Sequence, residues 1–501
     1  MRAVKSNYYQ IVIAGSGFSG SLTALALGQC GFHVCIIEKG EHPRFAIGES
    51  STPVADMILR ALSSRYQLPW LHDFSRYGSW QKAHPEIVCG IKRGFSYYKH
   101  YPGQAFFTDP DHSNELLVAA SASDSVSDTN WLRADFDHFL VRQVKASQID
   151  YHDHTEILSA TRKENTWTFT ANCRGERVTF HGAFFIDATG SGHLVHKLLS
   201  IGSTTEGFLT NSFAVFSHLD NLPRWTDVLH QKKISTDDYP YDPDHSALHH
   251  ILDEGWAWAL RFNNRQTSWG FVLDGTLQHE DTKELWHAMQ IKYPDLGRLL
   301  KNAAFSAQPG GIVRSGRLQR KLSRCFGEGW VALPHTAGFV DPLFSSGIAF
   351  ALTGVERIVQ MLSAHKAFDR RLYEGLTEYE VALRRELGLL DLLIAGCYKA
   401  MPHFPLFNAW SMLYFAFTLA HEKRRLQHKP VGCLLEADNP EIQRIAQTSY
   451  EKLRSITAQK TISPQDINRF TETIRKRILP YNTAGLLDPS HRHMYRHTAT
   501  E

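Results

Sequence analysis

Gly15-Ser16-Gly17-Phe18-Ser19-Gly20 follows the apolar run Ile11-Val12-Ile13-Ala14 and precedes an Ala/Leu-rich stretch that ends near Gln29. Glycines at this spacing allow a tight turn and let backbone amides approach a pyrophosphate, while a helix beginning at the turn adds partial positive charge. Val34 to Ile37 reads as the next strand, and Glu38, eighteen positions after Gly20, can accept from a ribose hydroxyl. Strand, glycine turn, helix, strand and acid in this order point to a dinucleotide, with Gly15, Gly17, Phe18, Ser19, Gly20, Glu38 and Lys39 as candidate contacts. An apolar strand ending at Asp187 runs into a second glycine turn, Ala188-Thr189-Gly190-Ser191-Gly192, and places Gly190 among the candidates. A third segment, Gly329 to Gly347, predicts a short strand at Trp330 to Leu333, then Asp341 and Pro342, then an apolar helix to about Leu362. Ser345 suits an N-cap, which would leave the amides of Ser346 and Gly347, followed by Ile348, as an anion-receptive helix start.

Positioning these turns takes a large fold. The chain has 501 residues, enough for about two to four domains at roughly 150 residues each. Two glycine turns about 170 residues apart predict one dinucleotide domain assembled from separated segments. The expected fold is α/β: a Rossmann-like dinucleotide domain, a β-sheet substrate domain and a C-terminal helical region. The expected boundaries are 1–200 and 306–362 for the dinucleotide domain, 201–305 for the substrate sheet and 363–501 for the helices, with a strand near 88–107 on the substrate side. Ser121 to Thr129 and Ser235 to Ser246 read as polar loops. Phe404 to Ala420 is apolar but interrupted by Pro405 and Asn408, and predicts a packed helix rather than a membrane span. The tail from Asp488 reads as a frayed terminus.

Composition narrows the function classes. Lys plus Arg (54) against Asp plus Glu (51) gives +3, with the basic residues spread along the chain, which argues against a nucleic-acid partner. Seven cysteines without a CxxC pair and an N-terminus without an apolar signal core suit a cytoplasmic protein. Histidines 245, 249 and 250 with Asp253 lack a convincing third ligand, so no metal is assigned.

With the three turns in this order, the chain resembles FAD-dependent enzymes of the aromatic-hydroxylase superfamily, which implies that the dinucleotide domain is a Rossmann-like FAD domain of the glutathione-reductase type. Gly48-Glu49-Ser50-Ser51-Thr52-Pro53 is similar to the GExTP segment of the flavin-dependent halogenases, phenol-type and phloroglucinol-halogenase-like. The resemblance implies reduced FAD supplied by a separate flavin reductase, oxygen, and chloride or bromide as co-substrate, acting on a small phenolic or other electron-rich aromatic. It also implies FAD contacts at Gly48, Glu49, Ser50, Arg133 and Asp341, a halide site at the Ser346 and Gly347 amides, and a place in secondary metabolism. An oligomer is compatible with it.

In this family one lysine, remote from the flavin, takes up hypohalous acid, and Lys92 in Cys89-Gly90-Ile91-Lys92-Arg93-Gly94-Phe95 falls on that lysine. As one continuous strand, this segment would put Lys92 with Gly90 and Gly94 on one face and Phe95 on the other. Burial of the ammonium would lower its pKa and favour the reactive amine. The family's WxWxIP segment reads Trp256-Ala257-Trp258-Ala259-Leu260-Arg261, so both wall tryptophans are present and Arg261 replaces the proline. Phe344 stands where tryptophan-directed members place a glutamate, which argues for a phenol rather than an indole. Phe95, Trp256, Trp258 and Phe344 are therefore the candidate substrate contacts. Arg261 keeps open a second reading, an FAD-dependent monooxygenase or oxidoreductase without halide. A third reading is a flavoprotein without catalysis.

Overall fold

Ile13 sits opposite Ile186 on one side and Ile36 on the other, so the strand Tyr8–Ala14 lies between two parallel partners, Glu176–Asp187 and Val34–Ile37. Strands covered on both faces lose polar alternation, which is why these runs read as unbroken apolar sequence. This is seen in the computed structural model, which describes residues 8–277, 281–427, 429 and 432–498. Trp330–Ala332 pairs parallel on the outer side of Glu176–Asp187, so segments far apart in sequence build one sheet. The two glycine turns consequently touch: Ala188 N–H donates to Ala14 O at 2.8 Å. Gly15 has φ of +96°, and a Cβ there would lie 2.8 Å from Ala188 O, so a side chain is excluded twice over. A Cβ on Gly20 would lie 2.0 Å from Gly15 O, so that glycine lets the helix Phe18–Gln29 close onto the turn.

A nine-stranded sheet forms the second layer. Along it run Ser212–Asp220, Gln266–Asp274, Gly255–Arg261, Ala247–Ile251, Gly94–Lys99 and Glu115–Ala119 as successive neighbours. Met494–Tyr495 pairs parallel with Leu117 and Val118 at its edge, and Thr498 N–H donates to Ala119 O at 2.9 Å. The tail is thus docked instead of frayed, held by ladder hydrogen bonds and by buried Met494 and Tyr495. Its last three residues, like Met1 to Asn7 at the other end, lie outside the described residues.

The lysine segment is not one strand. Cys89–Lys92 pairs antiparallel with Asp128–Trp131 in a separate two-stranded sheet, and Gly94–Lys99 belongs to the large one. Arg93 makes the break: its N–H donates to His245 O and its carbonyl accepts from Ala120, so the ladder changes partners there. The polar loop expected over Ser121 to Thr129 correspondingly ends early, because Asp128 already belongs to a strand.

Beyond residue 369 the chain is helical through Arg370–Ala400, Phe404–Leu426, Pro440–Thr457 and Pro464–Ile478. The apolar segment around Phe407 and Phe417 is packed inside the protein within the second of these helices. Among the described residues no helix is long and apolar enough to cross a membrane, and all seven cysteines are free thiols.

Candidate active site

A cavity of about 890 Å³ lies between the parallel sheet and the nine-stranded sheet, near the upper end of the ~300–1,000 Å³ expected for ligand sites. It is lined by Gly15, Gly17, Phe18, Ser19, Glu38, Lys39, Gly48, Glu49, Ser50, Arg133, Gly190, Gly347 and Ile348 of the residues expected at a cofactor, together with Trp256 and Trp258. Gly20 is not among them, because its place is beneath the turn. The helix at the turn has Gly17 as N-cap and no acidic side chain in its first turn, so its free amides face the cavity uncompensated.

Glu38 accepts from Ser16 N–H at 2.9 Å, Ser16 Oγ at 2.8 Å and Gly40 N–H at 3.0 Å. Burial pushes its pKa up, but Arg44, 3.5 Å away, and these donors outweigh burial and hold it below the usual carboxylate range. It is therefore an ionised acceptor at the end of its strand. Arg133 makes two hydrogen bonds to Asp137, at 2.9 and 2.7 Å, donates to Ile47 O and Gly48 O, and lies 4.6 Å over the Phe18 ring. One guanidinium thereby ties the glycine turn to the Gly48 loop. Glu49 Oε1 is hydrogen-bonded with His218 Nε2 at 2.7 Å, both residues buried.

Other cavity residues lie outside the motifs, among them Arg44, Arg320 and His335. Arg44 lies in the turn after Glu38; Arg320 donates to Gly190 O at 2.5 Å and His335 O at 2.7 Å; His335 is half-buried and held neutral, its pKa pushed down to about 3 by desolvation and by Arg320. The buried Arg44 Nε, Arg320 Nε, Ser50 Oγ and Glu49 Oε2 have no partner among the described residues. A long cavity with glycine cradles, a helix start, an acid at its end and unused donors fits FAD.

Asp341 departs from expectation. Its carboxylate accepts from Ser212 Oγ at 2.7 Å, Tyr398 OH at 2.9 Å and Leu343 N–H at 3.1 Å, and Asp341 does not border the cavity. Burial raises its pKa to about 6, against the opposing effect of those donors. Its role in this geometry is to fix the loop that leads to Gly347. The N-cap of the helix Gly347–Ala364 is Ser346, not Ser345, which instead adopts φ of +51° and makes the bend.

One face of the nine-stranded sheet leads from this cavity to Lys92. Trp256 and Trp258 share it with Leu260, and all three border the cavity. Trp258 fits because Gly270 is its cross-strand partner: a Cβ there would lie 2.2 Å from the indole. Next come His249, 5.1 Å from Trp256, and Tyr97, 4.7 Å from His249. Strand alternation sends His250 to the opposite face, which separates the histidines the sequence sets side by side. Phe95, Tyr414, Phe415 and Phe344 follow, Phe344 stacked on Tyr414 at 4.1 Å. The Arg261 side chain leaves this face altogether, pairing with Asp244 at 2.5 Å and donating to Leu222 O and Pro223 O. The aromatic wall is therefore complete despite the missing proline.

Lys92 is fully buried. Its Nζ donates to Ser51 O at 2.5 Å, lies 4.1 Å over the Phe95 ring and is 3.9 Å from Asp128 Oδ2. The break at Arg93 brings Lys92 and Phe95 together, against the simple alternation expected of one strand. Burial pushes the Lys92 pKa down to about 8, with Asp128 and Asp56 opposing. Lys92, Phe95, Phe344, Asp341 and Ser346 do not border the large cavity.

Comparison with known proteins is consistent with this geometry. The chain matches the tryptophan halogenase family over residues 10–65 and 132–403. It belongs to that family. It is 26% identical over 431 residues to monodechloroaminopyrrolnitrin halogenase PrnC of Pseudomonas fluorescens, covering 84% of this chain and 73% of that one. It is 24% identical over 441 residues to tetracycline 7-halogenase of Kitasatospora aureofaciens, covering 83% and 75%. Halogenase PltM, solved in complex with phloroglucinol and FAD, shares the fold at a TM-score of 0.85 and 24% identity, covering 97% of this chain and 99% of that one. The chain is thus a flavin-dependent halogenase, an FAD enzyme with a halide co-substrate.

Proposed function

We propose that this halogenase transfers chlorine or bromine to a phenolic or other electron-rich aromatic ring, with Lys92 as the residue that carries the halogen. The observation that carries the reading is the Lys92 site itself: a buried amine, over Phe95, that does not border the cavity fitting FAD, which Trp256 and Trp258 line.

Reduced FAD, when bound, supplies with oxygen and halide the hypohalous acid that the protein then directs. Gly15, Gly17, Phe18, Ser19, Glu38 and Lys39 would hold its adenosine and pyrophosphate half, and Gly48, Glu49, Ser50, Arg133, Gly190 and Ile348 the remainder. The start of the helix at Ser346 and Gly347 would hold the halide through free backbone amides. Trp256 and Trp258 keep the organic substrate from that cavity. Lys92, neutral in a useful fraction near its depressed pKa, attacks the halogen of hypohalous acid; the O–X bond breaks as N–X forms, and water leaves. The aromatic cluster of Phe95, Phe344 and Tyr414 presents π faces for a flat ring. Phe344 offers no carboxylate to a positive ring intermediate, and a phenol needs none, because its own hydroxyl can release the proton. PltM, whose structure holds phloroglucinol and FAD, is a relative in fold that supports this substrate class.

Reduced FAD would come from a separate flavin reductase, and the free cysteines suit a reducing, cytoplasmic setting. The deciding experiment supplies purified protein with FAD, a generic reductase, NADH and a phenol panel, with chloride, with bromide and with neither. Mass spectrometry should show a halogen isotope doublet that requires halide and is lost in Lys92→Ala. A product one oxygen heavier and independent of halide would overturn the reading.

A further inference from the structure

Beside Lys92 lie two buried carboxyl groups that the mechanism above leaves unused. Asp128 is the cross-strand partner of Lys92, and Asp56 projects from the helix Pro53–Arg65 to hydrogen-bond with it. Both are only 3% exposed. Ser51 joins the two halves: its carbonyl accepts from Lys92 at 2.5 Å and its hydroxyl donates to Asp56 at 3.4 Å. The carboxyls border a second cavity of about 60 Å³, together with Arg60, Arg76, Ser121 and His497. It shares no lining residue with the large cavity and has room for a few waters.

We propose that Asp128 and Asp56 form a proton relay that connects the Lys92 nitrogen to water in the small cavity. The relay rests on the reading of Lys92 as halogen carrier. Two adjacent buried carboxyls hold one proton between them, and burial with the neighbouring Asp128 holds Asp56 well above the usual range. The ionised member takes the ammonium proton and leaves the amine. The amine and hypohalous acid give the N-halo amine and water. The relay then returns a proton to that nitrogen, the N–X bond breaks with its electron pair staying on nitrogen, and the ring gains halogen and releases its proton. The small cavity exchanges the relay's proton with solvent, so no proton need pass the flavin side. The other charged or titratable groups around Lys92 are Arg60 beyond Asp56, neutral His249 and Tyr414.

Asp128 and Asp56 act through Lys92 and are positioning residues, so the test must read more than lost activity. Asp56→Asn keeps the shape and a donor to Asp128 but has no transferable proton. Halogenation by the FAD-loaded enzyme is followed from about pH 6 to about pH 9, in water and deuterium oxide, for wild type, Asp56→Asn, Asp128→Asn and Lys92→Ala. The expected result is a maximal rate down at least about tenfold in Asp56→Asn, with a larger solvent isotope effect and unchanged FAD affinity. In Asp128→Asn the acid limb should move to lower pH, because the carboxylate that favours the ammonium is gone. Wild-type rates, limbs and isotope effects in both aspartate variants, with Lys92→Ala inactive, would overturn the relay alone. Full activity in Lys92→Ala would overturn the carrier reading and the relay with it. Should Asp128→Asn not fold, Asp56→Asn decides.

Discussion

Replacing Lys92 by Arg tests whether the amine or the positive charge does the work. At the depressed pKa of about 8, about 10% of Lys92 is neutral at pH 7. At its ordinary value of 10.5 the neutral share would be about 0.03%, so burial raises the reactive form about 300-fold. The sign is fixed: a lowered lysine pKa populates amine below its usual range, so the halogenation rate should climb about tenfold per pH unit and flatten above about pH 8. Arginine keeps the charge but is not deprotonated in proteins. Lys92→Arg should therefore lose at least about 100-fold in halogenated product at every pH and lose the rising limb. Product is read by mass spectrometry with reductase in excess, alongside FAD binding and a chemical trap for released hypohalous acid. The trap should register more in the variant. A Lys92→Arg enzyme keeping more than about a tenth of the rate, or a wild-type profile flat up to pH 8, would refute the amine argument in favour of a hydrogen-bonding ammonium.

Gly15→Ala should abolish tight FAD binding, since its φ of +96° and the 2.8 Å approach to Ala188 O leave no place for a methyl group; a flavin titration checks this. Arg261→Ala should keep halide-dependent turnover, because the side chain points away from the tryptophan wall, while lowering stability by about 1–3 kcal/mol from the broken Asp244 pair in denaturant titration. Phe344→Ala removes the ring stacked on Tyr414 and should cost about 3–5 kcal/mol in the same assay. A chain lacking residues 489–501 should melt lower and associate, because the Glu115–Ala119 edge loses its cover; calorimetry and light scattering measure both.

What could be read from the sequence is what local spacing encodes. The glycine turn, Glu38 and the paired tryptophans follow from one strand or one turn, where periodicity settles direction. Asp128 lies in a stretch whose Ser and Asp neighbours spell a polar loop; only the pairing with Cys89–Lys92 makes it the partner of the lysine. Asp56 sits in an apolar helix run, a signal that its carboxyl is buried, but its partner comes from a distant strand. Asp341 belongs to a legible motif, yet its orientation depends on Ser212 and Tyr398, brought by other elements. Arg44 and Arg320 reach the cavity from segments with no periodic pattern at all. The two-residue strand at Met494 is too short for composition to announce.

That strand bears on how the enzyme is made. The sheet that carries Phe95 and both tryptophans has its edge at Glu115–Ala119 open until residues 494–498 have been synthesised and have travelled back to it. Every earlier element of the sheet emerges from the ribosome before its last neighbour exists. The strands that bear Phe95, Trp256 and Trp258 are therefore made well before the segment that covers the edge of their sheet.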